Sequence, residues 1–225
     1  SLALLARIPR YTAPDHLRYI PTSLLPDKMR RFVEQDIKGG TLSVYELLLN
    51  GRLKDILRVK PIAERNLLHI RAIIEDSSLV LGKERLRFDD VSGDLELQGS
   101  TLHLRNFVGR IGDSRFKRLS GRMTRLFSAT LLEVRGEADA NLLELRNLFR
   151  TKHKSPKVRA FVTSLQRLKG RASGRFRVVK AIGRDGPWIF GGRARVEGSS
   201  LFSAQLGQPL DDVSAEFIFH NSYVY

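Results

Sequence analysis

Apolar and polar residues alternate along most of this 225-residue chain, the mark of a strand with one wet face and one dry face. From Leu132 the stretch LEVRGEADA sends Leu132, Val134, Ala138 and Ala140 one way and Glu133, Arg135, Glu137 and Asp139 the other. Between Arg171 and Val178, Ala172, Gly174, Phe176 and Val178 oppose Arg171, Ser173, Arg175 and Arg177. Leu95 and Leu97 alternate with Asp94, Glu96 and Gln98. Such half-buried strands pair most naturally in antiparallel order. Gly99-Ser100, Gly112-Asp113 and Gly198-Ser199 carry hairpin-turn chemistry, and GRDGPW from Gly183 to Trp188 supplies glycines for positive φ with a proline behind them.

Three segments change to a helical period. Pro26 to Lys38 aligns Met29, Phe32, Val33 and Ile37 and stops at Gly39-Gly40. Ser155 can cap a helix that has Pro156 in its first turn, carries Val158, Phe161, Val162, Leu165 and Leu168, and ends at Gly170. A shorter helix is expected over Leu142 to Phe149.

The pattern also repeats. RAIIEDSSLVLGKERLRFDDVSGDL returns as RARVEGSSLFSAQLGQPLDDVSAEF without a gap, at a constant offset of 122 residues from Arg71 to Arg193. Asp89, Asp90, Val91 and Ser92 reappear as Asp211, Asp212, Val213 and Ser214, and Leu95 and Leu97 become Phe217 and Phe219. Self-similarity at a long fixed period signals one supersecondary unit stacked on a copy of itself. The fold expected is mainly β with a few short helices, in which repeated antiparallel β-meander units form a long curved sheet. Residues 1–25 would connect, 26–150 form the first helix-plus-meander repeat with an insertion around Ile56 to Asn66, and 151–225 a truncated second repeat of a longer chain.

The dry faces raise a problem of cover, because the helices are too few to bury them. Either the sheet closes on itself as a sandwich or it forms an open, taco-like trough filled from outside, since soluble monomers tolerate only a few hundred Å² of contiguous exposed apolar surface.

Composition narrows the chemistry. A net charge of +15 predicts attraction to polyanions: nucleic acid, an anionic membrane surface or an acidic partner. Basic residues are scattered, with one concentration in FRTKHKSPKVR. Nucleic acid is the weaker expectation, because aromatic residues do not interleave with the basic ones as stacking platforms require. The chain has no cysteine, and its histidines, His16, His69, His103, His153 and His220, lack metal-ligand spacing. No phosphate-binding glycine loop, nucleophile elbow or acid-base dyad appears, so no catalytic residue, metal or cofactor is expected. The Asp89-Asp90 and Asp211-Asp212 pairs, recurring at equivalent positions, are expected to bond nearby backbone at strand entrances. The apolar run from Leu2 to Ala6 is far short of the ~20 residues of a membrane-spanning helix.

"DSSL" or "GSSL", a turn, and then "LDDVS" or "FDDVSG" resemble the AsmA-like family of bacterial envelope proteins, which has YhdP and TamB types. RYIPTSLLPDKMRRFVEQDIKGGTLSVYELLLNGRLKDI is similar to the central region of YhdP-type members, with Tyr19 and Pro21, Leu25 and Pro26, Gly39 and Gly40, and Gly51 to Leu53 as the matching elements. The resemblance implies the periplasmic portion of an inner-membrane-anchored protein in a diderm bacterium. It implies a non-enzymatic bridge whose partners are phospholipids, bacterial membranes and other envelope proteins, and whose trough conducts phospholipids between inner and outer membranes. On that reading Leu95, Leu97, Leu102, Leu104, Leu132, Val134, Phe176, Val178, Val196, Phe217 and Phe219 line the groove. Arg171, Arg175, Arg177, Arg193 and Arg195 would meet headgroups at its rim. The alternative is a periplasmic scaffold or assembly factor in which the same apolar residues fill a closed β core.

Overall fold

The computed structural model describes residues 2–12, 32–51, 68–81, 86–126, 130–152, 156–181, 189–203, 207–220 and 223–224. They form one antiparallel sheet of eleven strands whose spatial order is the sequence order. The strands are β1 (Leu2–Thr12), β2 (Ile37–Gly51), β3 (Leu68–Leu81), β4 (Leu86–Gln98), β5 (Thr101–Ile111), β6 (Ser114–Thr124), β7 (Leu131–Asn141), β8 (Leu165–Ala181), β9 (Ile189–Ser203), β10 (Gln208–His220) and β11 (Tyr223–Val224). A π-helical turn, Phe32–Asp36, leads into β2. Two helices, α1 (Leu142–Lys152) and α2 (Pro156–Ser164), join β7 to β8. The sheet is open, so the mainly-β expectation holds.

Glycine turns make two of the links. Gly99-Ser100 joins β4 to β5 and Gly112-Asp113 joins β5 to β6, as their sequences predict. GRDGPW falls outside the described residues. Gly198-Ser199 is not a turn: both residues lie inside β9, where Gly198 (φ 57°) occupies a bulge.

Bulges recur through the sheet. Asp76, Asp90, Asn106, Arg118, Arg167 and Asp212 take left-handed φ values of 49° to 55° inside β3, β4, β5, β6, β8 and β10. Each coincides with a shift of register between neighbouring strands. Asp and Asn tolerate this region better than most residues. The second Asp of each repeated pair therefore serves mid-strand, not at a strand entrance as expected: β4 begins at Leu86 and β10 at Gln208. Asp89 accepts hydrogen bonds from the Ser78 hydroxyl (2.9 Å) and Arg87 Nε (2.8 Å) rather than from backbone.

The repeated sentence thus spells a doubly bulged hairpin, β3–β4 in one copy and β9–β10 in the other. Ser77 pairs with Val91 and Ser199 with Val213, each pair lying between the two bulges. Ser77 is 4% exposed and Ser199 1%. The strand beside each serine must come close. Gly40 in β2 (φ 99°) and Gly170 in β8 (φ 117°) do so, and a Cβ on either would overlap the serine hydroxyl.

These glycines correct two helix boundaries. Gly39-Gly40 and Gly170 look like helix stops, yet they lie within strands, β2 beginning at Ile37 and β8 at Leu165. The bulge at Arg167 inserts an extra residue between Leu165 and Leu168, and the resulting spacing of three imitates a helix. Residues 26–31 of the first expected helix, and the insertion around Ile56 to Asn66, lie outside those described. Gly40 nevertheless precedes Ser77 by 37 positions and Gly170 precedes Ser199 by 29, so the first copy holds eight more residues, one of them in the bulge at Tyr45. The third helix matches its expected start and runs three residues further, to Lys152.

Candidate functional site

Directly opposed residues of antiparallel strands point to the same side of a sheet, so the register sorts every strand residue onto one of two faces. One unbroken row runs Ile8, Val44, Ala72, Leu95, Leu104, Gly121, Val134, Val178 and Phe190, crossing nine strands without a charged residue. A parallel row holds Ile70, Leu97, Leu102, Met123 and Leu132 and ends at Lys180. Phe176 faces Gly192, which faces Phe219; Val196 stands beside Ala172; and Phe217 opposes Ala194. All eleven residues expected in the groove therefore belong to one face. For Phe219 this follows from the backbone register alone.

That face contains the entire buried core of the described residues: Val44, Leu68, Ala72, Val91, Phe107, Ala140, Ala172 and Val196. Several of these small or deeply set positions lie near bulges, whereas Leu68 sits beside the β4–β5 turn. Most of the longer side chains further along the strands are only half-buried, and Phe190 and Phe217 are each 40% exposed. Strand packing is confined to sequence neighbours, apart from incidental contacts, and α1 and α2 pack mainly on β7 and β8, with Glu144 of α1 reaching the β5–β6 turn. Among the described residues, no second layer lies on the apolar side. At about 3.3 Å per residue, β2 to β10 run roughly 36 to 56 Å, and eleven strands spaced by ~4.8 Å extend about 48 Å across.

The opposite face is a lattice of ion pairs. Glu133 in β7 receives Arg122 from β6 (3.0 Å) and Arg177 from β8 (2.7 Å). The Arg177 guanidinium, with Arg122 next, holds the Glu133 carboxyl below the usual carboxylate range. Glu137 is bracketed in the same way by Arg118 and Arg175. In the first copy Glu96 lies against His69 (3.1 Å), Arg71 and Arg105, and its carboxyl is lowered chiefly by the His69 hydrogen bond. Arg87 does the same for Asp89.

The five arginines assigned to the rim stand on this polar face, within the strands. Arg175 faces Arg193, and Arg171 faces Glu197. Each has a carboxylate beside it: Asp139 for Arg171, Glu137 for Arg175, Glu133 for Arg177, Glu216 for Arg193 and Glu197 for Arg195.

Alternation alone misses Phe107, which lies on the apolar face out of phase with Leu102 and Leu104, because it follows a bulge at Asn106 that resets the phase of its strand. The signal that finds it is the Asn in mid-strand, after which the count of two restarts. No cluster of three metal-ligating side chains occurs among the described residues, and no described helix is long and apolar enough to cross a membrane.

A family model described as YhdP protein matches residues 1–224. No curated protein matches the chain, and neither does any solved structure.

Proposed function

The chain belongs to the YhdP family, and from that premise we propose that it is a segment of a bridge-like lipid transfer protein. Its apolar face shields phospholipid acyl chains while the ion-paired face meets water. The observation that carries this reading is the nine-strand apolar row with no protein layer over it. Withdrawing a lipid from a bilayer exposes methylenes at a cost of about 0.8 kcal/mol each, so a transfer path must stay apolar along its length. No chemical step is required of the segment, which acts without a cofactor. The repeat lengthens the groove by copying its cross-section. In this reading the segment works in the periplasm of a diderm bacterium, between the inner and outer membranes.

The uncovered face favours the groove over a closed-core scaffold, and lipid analysis separates the two. Native mass spectrometry of the chain, extracted in mild detergent and then freed of it, is expected to show bound phospholipid. Leu97→Asp and Val134→Asp are expected to abolish that lipid while the far-ultraviolet circular dichroism stays that of a β protein. A folded, lipid-free chain that takes up no added phospholipid would overturn the groove and leave the scaffold.

A further inference from the structure

Most of the sheet's arginines are matched by carboxylates, Arg115, Arg135 and Arg167 being exceptions among the described residues; the helical hairpin's are not. Between Leu142 and Ser164 the chain carries Arg146, Arg150, Lys152, Lys154, Lys157 and Arg159 against a single acid, Glu144. That acid is engaged elsewhere. Its carboxylate accepts the backbone N–H groups of Asp113 (2.8 Å) and Ser114 (3.0 Å) and the Ser114 hydroxyl. Neither Arg150 nor Arg159 meets a carboxylate among the described residues, and the two flank a 630 Å³ depression between the helices, lined also by Ala160, Thr163 and Ser164.

Position adds to charge. The Glu144 bonds fix α1 against the β5–β6 turn, and both helices contact β8. The hairpin therefore stands at the strand ends, on the margin of the sheet rather than over its middle. Leu143, Asn147 and Arg150 are spaced by four and three residues, lie on one side of α1, and are all exposed, Leu143 at 45%. An exposed leucine on the same side of a short helix as an exposed arginine suits the interface of an anionic bilayer.

We propose that the α1–α2 hairpin is a docking site for the surface of an anionic phospholipid bilayer, with Arg150 and Arg159 receiving lipid phosphates. Docking is a surface interaction separate from groove loading, and the two are tested apart.

The test is cosedimentation of the chain with vesicles of phosphatidylglycerol and phosphatidylcholine, compared with phosphatidylcholine alone. The wild type is expected to bind the anionic vesicles at least about tenfold more tightly, with steep weakening in salt. The double reversal Arg150→Glu, Arg159→Glu is expected to reduce that binding by about tenfold or more. Arg193→Glu with Arg195→Glu, an equal charge change on the polar face, should alter it by less than about twofold. Should the hairpin reversal fail to fold, Arg150→Gln with Arg159→Gln, expected to weaken binding several-fold, replaces it. Equal losses from hairpin and sheet reversals would overturn the proposal in favour of diffuse charge. Binding to polyglutamate but not to the vesicles would overturn it in favour of an acidic protein. Val134→Asp distinguishes the groove from the dock: lost lipid loading with intact vesicle binding supports separate sites, whereas joint loss would mean that vesicles are held through the groove.

Discussion

Gly170 has a φ of 117° and no room for a Cβ, because the Ser199 side chain fills that space; Gly40 and Ser77 repeat the arrangement. Gly170→Ala combines a left-handed strain of about 1–2 kcal/mol with a steric overlap, so a loss of about 2–3 kcal/mol in chemical denaturation is expected. Ser199→Gly in the same chain should recover part of the loss, and additive effects would show that the two residues do not share the strain. The serines themselves close their bulges locally. Ser77 Oγ donates to the Glu75 carbonyl and Ser199 Oγ to the Glu197 carbonyl, each at 3.4 Å, which gives both hydroxyls a partner on the apolar side. Gly-to-Ser distances of this kind cannot be seen in a linear string, and that is why both glycines resemble helix stops until their neighbours are known.

The α1 helix is held at its first turn. Asn141 Oδ1 accepts the N–H groups of Leu143 (2.9 Å) and Glu144 (3.4 Å), an N-cap that the sequence places at the end of β7. Glu144 then ties the helix to the turn between β5 and β6. Glu144→Ala should destabilise the protein by about 1–3 kcal/mol, since it strands two backbone donors and a hydroxyl. Amide exchange at Asp113 and Ser114 should quicken, and unchanged protection there would contradict the latch. What the sequence made legible follows the same division. Uninterrupted alternation placed β7 and the Arg171 to Val178 part of β8 on their correct faces, because a bulge-free ladder keeps a period of two. Where a bulge adds a residue, as at Arg167, the period breaks locally and apolar spacing no longer distinguishes strand from helix. The face of each residue assigned to the apolar side was therefore readable, but the row that joins Ile8 to Phe190 depends on register across nine strands and required coordinates.

The ion-pair lattice makes stability depend on acid. Asp89, Glu96 and Glu133 have lowered folded-state pKa values, caused first by Arg87, His69 and Arg177 respectively. A depressed carboxylate contributes stability that is fully present above its unfolded pKa of about 4 and is lost as pH falls through the folded value. The melting temperature should therefore stay nearly level from pH 7 to about 5 and decline below about 4, with the decline reduced in high salt. A melting temperature that rises on acidification would show that these pairs do not favour the fold.

Because each strand leans on the one before it and the one after it, the sheet formed by the described residues has no centre. Its cohesion is that of a chain of links: energy adds from pair to pair. Injury should spread sideways from the damaged link and fade with distance, leaving remote strands folded where a globule would have dissolved as one.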